Sequence, residues 1–345
     1  MLPLRRAARD DGCRRLTTSR EVFWQTRFAP GLEHLVLDAR VDRIVGEGVM
    51  TVHEDPGGPD PPFRVRYRIE CDGGWRVREL SARATAGATV ALRSDGEGHW
   101  TDGGGARRPE LDGAIDVDIA ACGFTNAITI RRLALAAGAS REEPIAYVHV
   151  PSLAVERVVQ RYTCLDRSLT GSRWRYENLT HPYDTAIDVD ADGLTLHYPD
   201  VLDRLWPDGV DVPLPLVTSG IVERDGRILL LRRSAAKDHG PGEWEPVSGR
   251  VEPGESPRAA AIREVKEETG LDVDVLAPLD TFRFLRGDAR VERLGIAFHC
   301  RVTGGTLALS AEHDEARFIP RSELLTADLS EAVRRGLTRF IALGE

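Results

Sequence analysis

Residues 249–271, Gly249-Arg250-Val251-Glu252-Pro253-Gly254-Glu255-Ser256-Pro257-Arg258-Ala259-Ala260-Ala261-Ile262-Arg263-Glu264-Val265-Lys266-Glu267-Glu268-Thr269-Gly270-Leu271, decide how the second half of this chain is read. They spell a loop, a helix and a stop. Ser256 is a good N-cap, and Pro257 suits the first helical position, where no amide hydrogen is needed. Gly270 stands where a left-handed residue closes a helix. Between them Ala260, Ala261 and Val265 form an apolar stripe, while Glu264, Glu267 and Glu268 fall at i, i+3 and i+4 on one side. Three carboxylates so placed repel one another by roughly a few tenths of a kcal/mol per exposed pair. A divalent cation offsets that repulsion: Mg²⁺ or Mn²⁺ takes carboxylate oxygens and keeps positions for water and phosphate. Arg263 can reach back to Glu255 in the preceding loop and tie loop to helix by a bidentate pair. An isolated acidic run of this kind reads equally as a solvated helix face.

Outward from this stretch, the 345 residues favour two domains over one core. The 46 Lys+Arg against 55 Asp+Glu give a formal charge of -9, the wrong sign for a general nucleic-acid or acidic-membrane binder. An apolar fraction of 41% with 29% charged residues is that of a soluble globular chain, and no membrane span is expected. The 5 cysteines are dispersed, with no paired motif for zinc or redox chemistry, which reads as reduced thiols in a cytoplasmic protein. Residues 1–20 read as a flexible basic arm.

Two patterns follow one another. From 21 to 205 the period is two: Phe63, Val65, Tyr67 and Ile69 alternate with Arg64, Arg66, Arg68 and Glu70, then Asp72-Gly73-Gly74 turns the chain into Trp75 and Val77. About ten such strands with almost no helical period predict an antiparallel sheet or open barrel. Residues 206–215, rich in Pro and Gly, read as a linker. From 216 to 345 strands alternate with helices: paired strands around Asp225-Gly226, the helix of 257–269, two strands flanking Gly287-Asp288 and a closing helix over 329–343, which suits an α/β sandwich.

Spacing lifts the acidic run above the solvated reading. Gly249, five residues, Glu255, seven residues, Arg263-Glu264, an aliphatic residue, one residue, Glu267-Glu268, one residue, Gly270 and aliphatic Leu271 resemble the full signature of the Nudix hydrolases. The resemblance covers about 213–345. It implies an α/β/α sandwich and a metal-dependent hydrolase, in which water attacks phosphorus in a nucleoside diphosphate joined to another group. It further implies that Glu264, Glu267 and Glu268 ligate Mg²⁺ or Mn²⁺, with Glu264 or Glu268 near the activated water. Gly249 would let backbone approach the site, with Glu255 and Gly270 structural. Glu315, or Glu312, would supply a further ligand or base from the late loop. Arg232 and Arg233 are candidates for phosphate contact, and Trp244 for base contact. A nucleoside triphosphate or nucleotide-sugar type of small molecule is the expected substrate class. The competing class is a nucleotide-sensing or ligand-binding regulatory protein without turnover, which would not need to keep Arg263-Glu264 and Glu267-Glu268.

The first half has its own resemblance. Leu111 to Asp118, Phe124 to Arg132, Gln160-Arg161-Tyr162 and Tyr198-Pro199 look like a glycolipid-binding family of bacterial proteins. That implies a two-domain α+β chain whose N-terminal part is an antiparallel β half-barrel with a lipid-like ligand. Asp112, Asp116 and Asp118 lack the spacing of a calcium loop and read as turn-capping acids. Asn126, Arg131 and Arg132 read as buried structural polar groups, with head-group contact as the alternative.

Overall fold

The computed structural model describes residues 19–29, 31–52, 63–85, 87–207, 216–236, 240–252, 254–286, 291–324, 329, 333, 334 and 337. The expected basic arm up to residue 18, the linker from 208 to 215 and most of the closing helix over 329–343 lie outside the described residues. The chain divides into two compact units at Val210/Asp211. No helix among the described residues is long and apolar enough to cross a membrane.

Among the described residues the first unit is a 14-stranded sheet rather than about ten strands. Its strands are β1 (Ser19–Thr26), β2 (Gly31–Ala39), β3 (Arg43–Val52), β4 (Phe63–Asp72), β5 (Val77–Ala84), β6 (Thr89–Ser94), β7 (Trp100–Asp102), β8 (Asp116–Ile119), β9 (Ser140–Val148), β10 (Val155–Arg167), β11 (Gly171–Asn178), β12 (Tyr183–Asp190), β13 (Thr195–Tyr198) and β14 (Leu202–Trp206). The order is β7-β6-β5-β4-β3-β2-β1-β14-β13-β12-β11-β10-β9-β8, so two meanders join where β1 meets β14. All neighbours are antiparallel except β8 and β9. The described sheet is open, with β7 and β8 at its two ends.

Alternation puts Val65, Tyr67 and Ile69 into the core, as read. Two glycines of β3 make room for rings: a Cβ on Gly46 would lie 2.3 Å from Phe124, and one on Gly48 would lie 2.2 Å from Tyr67. The core also holds a helix that periodicity did not reveal, α1 (Thr125–Leu133). Residues 125–130 are all buried, and a helix buried all round carries no polar stripe to mark its period. Asp116 and Asp118 are not turn caps. Both are buried on β8, where Arg132 clasps Asp116 (2.8–3.0 Å) and Thr125 and Gln160 donate to Asp118 (2.7 Å each). Burying a carboxylate costs several kcal/mol unless such donors replace water.

The second unit contains β15 (Leu216–Arg224), β16 (Arg227–Arg233), β17 (Trp244–Glu245), β18 (Val247–Arg250), α2 (Pro257–Thr269), β19 (Leu271–Arg286), β20 (Val291–Gly305) and β21 (His313–Pro320). The sheet runs β17-β16-β15-β20-β19, with β18 on β15 and β21 on β16; β15 and β20 are parallel. On one face Gly220 of β15 admits α2, since a Cβ there would lie 3.0 Å from Val265. On the other, Ile221, Ile228 and Leu230 join Leu324, Leu329 and Leu337 in an apolar cluster, with Trp244 against it.

Candidate active site

The ends of α2 are set by the expected devices. Ser256 Oγ accepts from the Ala259 amide at 3.0 Å, and Gly270 is left-handed (φ 70°), donating to the Lys266 carbonyl. Arg263 is the hub. Its Nε and Nη2 donate to the two oxygens of Glu255 (3.0 and 2.9 Å), and Nη2 also donates to the Arg250 carbonyl (2.9 Å). Its Nη1 donates to Glu264 Oε1 (2.9 Å) and Glu267 Oε2 (3.1 Å). One guanidinium therefore binds the loop, the strand end and two of the three helix carboxylates. The Arg263 pair holds Glu255 below the usual carboxylate range, outweighing its partial burial.

Gly249 completes the arrangement from β18. A Cβ there would lie 1.8 Å from Glu264 Cδ, so the Glu264 carboxylate rests directly on glycine backbone. Glu268 is buried and Glu267 is 59% exposed, so the three acids span the range from interior to solvent. Among the described residues no three acidic, histidine or cysteine side chains converge as a ready cage, and Glu264 and Glu267 each turn one oxygen to Arg263. The donor set is still one of hard carboxylate oxygens, and the glycine cradle leaves Glu264 fixed with Oε2 uncommitted. Such donors fit a hard divalent cation.

The late loop joins this end of α2 through backbone. The Ser310 amide donates to the Glu268 carbonyl (3.1 Å), and Ser234 donates to the Glu312 carbonyl (2.9 Å). The structure separates the remaining sequence candidates from the helix. Glu223 faces Ile228 across β15 and β16, so Ile228, Leu230 and Arg232 share the face of Ile221, opposite to Gly220 and α2. Arg232 stands opposite Trp244 on one side and Glu315 on the other. All three thus lie on the face away from α2. Glu315 is clasped there by Arg232 (2.8 Å) and Arg317 (2.7 Å), and the guanidiniums of Arg317 and Arg232 lie 4.6 and 5.9 Å from the Trp244 ring centroid.

The neighbours of these candidates occupy the helix face instead. Arg233 and Glu245 share it by alternation, and His313 joins them at the register shift that pairs it with Arg233. Arg233 Nη1 donates to both oxygens of Glu245 (2.7 and 2.8 Å), and His313 Nε2 lies 3.3 Å from Glu245 Oε1. Burial pushes Glu245 up, but His313 and Arg233 together hold it below the usual carboxylate range. Sequence reading names Arg232 and Arg233 together and misses Glu245 and His313, because residues 228–231 are all buried, leaving no alternation to say which of two adjacent arginines faces which way.

Comparison with known proteins agrees with this division. A family model described as "Putative glycolipid-binding" matches residues 21–204, and one described as "NUDIX domain" matches residues 214–340. The chain belongs to the glycolipid-binding family and carries a NUDIX domain. The NUDIX domain is 49% identical over 59 residues to a CTP pyrophosphohydrolase of Escherichia coli, covering 17% of this chain and 43% of that one. It is 34% identical over 109 residues to an ADP-ribose pyrophosphatase of Methanocaldococcus jannaschii, covering 32% and 63% respectively. The chain thus spans less than two thirds of the length of these curated relatives. A crystal structure of a DUF1089 family protein from Pseudomonas aeruginosa is 33% identical, covering 50% of this chain and 92% of that one, with a TM-score of 0.44. In the glycolipid-binding-family portion, of the residues quoted for the resemblance Asp116 to Asp118 fall on β8, Thr125 to Arg132 on α1, Gln160 to Tyr162 on β10 and Tyr198 at the end of β13.

Proposed function

We propose that the NUDIX domain is a pyrophosphohydrolase that cleaves a phosphoric anhydride in a nucleoside triphosphate or nucleoside diphosphate-linked small molecule, with Mg²⁺ or Mn²⁺. The observation that carries this reading is the Arg263 hub with the Gly249 cradle, which together fix Glu264 and Glu267 relative to the loop. Glu264, Glu267 and Glu268 would hold the cation. When bound, it neutralises phosphate charge and lowers the pKa of an attacking water. Glu264, resting on Gly249, keeps Oε2 in position to accept the proton that such a water gives up. Arg263 prevents the acids from swinging apart in the free enzyme. Arg233, on the same face as α2 and oriented by Glu245, offers guanidinium N–H groups to phosphate oxygens. Glu315 serves as a positioning acid for Arg232 and Arg317 rather than as a ligand or base, and Trp244 serves as packing. The glycolipid-binding-family domain takes an amphipathic, lipid-like ligand.

The test is hydrolysis of a panel of nucleoside triphosphates and nucleoside diphosphate compounds with Mg²⁺, read as phosphate or nucleotide release. Glu267→Gln is expected to remain folded and lose most metal-dependent turnover. Unchanged turnover in that variant overturns the reading, and nucleotide binding without any release would instead assign a sensor.

A further inference from the structure

The late loop brings to the NUDIX domain a residue that the spacing of acids does not mark. His313 opens β21 with its side chain only 1% exposed, and its Nε2 lies 3.3 Å from Glu245 Oε1. Glu245 is held below the usual carboxylate range, so at neutral pH its oxygens only accept, and Nε2 is a nitrogen that carries a proton. The other ring nitrogen, Nδ1, is buried with no hydrogen-bond partner. Packing alone does not ask for it, since a phenyl ring would fill the same space without stranding a nitrogen.

His313 stands between the acidic helix and the sheet edge. The Ser310 amide donates to the Glu268 carbonyl near the end of α2 (3.1 Å), and the His313 amide donates to the Ser310 carbonyl (3.3 Å). Its side chain then reaches Glu245 on β17, where Arg233 Nη1 donates to both carboxylate oxygens at 2.7 and 2.8 Å. The Arg233 backbone is set by the turn between β16 and β17, donating to the Glu243 carbonyl (3.0 Å) and accepting from the Gly242 amide (2.9 Å). Glu245 and Arg233 are themselves mostly enclosed, with side chains 18% and 14% exposed. Apolar residues of like volume match or better the stability of a buried ion pair, so stability alone does not account for these three.

We propose that His313 is a positioning residue for Arg233: its Nε2–H pins the Glu245 carboxylate, and the pinned carboxylate keeps the Arg233 guanidinium turned to substrate phosphate. The inference rests on the reading of this domain as a pyrophosphohydrolase with Arg233 on phosphate, and deepens it by naming what the late loop contributes. Held by one partner alone, Glu245 would turn and carry Arg233 with it, and a guanidinium that must be ordered on binding gives up part of its affinity. Two donors on one carboxylate remove that freedom before substrate arrives. Glu315, on the same strand, has no such part, because it lies on the far face between Arg232 and Arg317. A phosphate contact made in ground state and transition state alike shows in KM and leaves kcat in place.

Steady-state hydrolysis by the full chain with Mg²⁺ tests it, using whichever of the common ribonucleoside triphosphates and ADP-ribose is turned over fastest. His313→Phe is expected to keep the thermal midpoint and raise KM about 5-fold with kcat within about 2-fold. His313→Gln, whose amide donates from near the place of Nε2, is expected to bring KM back to within about 2-fold of the parent. In an Arg233→Ala background, His313→Phe should add less than about 2-fold, because no guanidinium is left to position. His313→Leu, equally without a donor, is read the same way where the phenyl ring does not fit. An unchanged KM in the donorless variants would make His313 packing only and overturn the proposal. So would a KM in His313→Gln as high as in His313→Phe, or effects that multiply in full with Arg233→Ala. A parental KM in Arg233→Ala alone would instead remove the phosphate contact on which the inference stands, and no turnover of any probe by the parent chain would remove the hydrolase reading itself.

Discussion

The acids of the two domains are held in opposite ways. In the NUDIX domain Glu255, Glu264 and Glu267 share one guanidinium at a partly solvated helix edge. In the first domain Glu33 and Asp118 are buried and met by neutral donors: Tyr67, Cys122 and the Gly123 amide for Glu33, and Thr125, Gln160 and, at 3.5 Å, Tyr176 for Asp118. The first arrangement leaves negative charge at a solvated edge, where the proposed cation would meet it. The second spends its polarity internally and fixes a shape. Charge that is to be used must stay near water, and charge that is to organise a core must be enclosed by donors.

That contrast can be broken most severely at the hub. Arg263→Ala, which frees the helix acids from the loop, is expected to lower kcat by about 10–100-fold, as loss of an orienting partner does at metal sites. Gly249→Ala, which drives a methyl into Glu264, is expected to cost about 100-fold, the scale of a misplaced catalytic group. Steady-state kinetics with a saturating nucleotide checks both, and retained activity in either would remove the hub from the mechanism. In the first domain the comparable lesion is Arg132→Ala, which removes the guanidinium from buried Asp116 and leaves Glu143 to Arg141 alone. Denaturant unfolding should show a loss of about 3–5 kcal/mol, as for a broken buried pair, with hydrolysis per folded molecule unchanged.

A milder pair tests the two sheet faces of the NUDIX domain. Arg233→Ala should raise KM about 10-fold, the loss of roughly one charge-assisted hydrogen bond, whereas Arg232→Ala should change kcat/KM less than about 2-fold. Equal effects would mean that both faces meet substrate. The smallest effects are pH slopes of opposite sign. Burial pushes Glu33 above its ordinary 4.5, against the pull of Cys122, Gly123 and Tyr67. The folded state therefore keeps a proton that the unfolded chain has released, and stability falls as pH rises above the ordinary carboxylate range. Glu255 is held below that range by Arg263, so its contribution is present above it and is lost as pH falls through it. Glu33→Gln should flatten the first slope and Glu255→Gln the second, both read from unfolding midpoints across pH.

How far the sequence carried depended on whether a segment had one wet side. The span of α2 is readable to the residue because its caps and its half-solvated acids mark it. Helix α1 is not, since its six consecutive buried residues show no polar face. The box acids were legible from spacing alone, as was the Arg263–Glu255 tie. The partners on the strand were not: the sequence does not separate Arg232 from Arg233, and it points to Trp244 where Glu245 occupies the helix face. A shift of one residue in a strand reverses the side, and a strand buried on both faces hides the shift.

The meeting of β1 and β14 at the middle of the first sheet has a bearing on how that domain comes into being. Each meander can form from hairpins close in sequence, but the seam between them, from Phe23 opposite Trp206 to Thr26 opposite Leu202, waits for the last strand of the domain to leave the ribosome. A nascent chain stopped before Leu202 would carry two raw edges, at β1 and β13, each with unpaired backbone groups ready to join another copy. Completion of β14 is therefore what turns a self-adhesive intermediate into a closed-seam product.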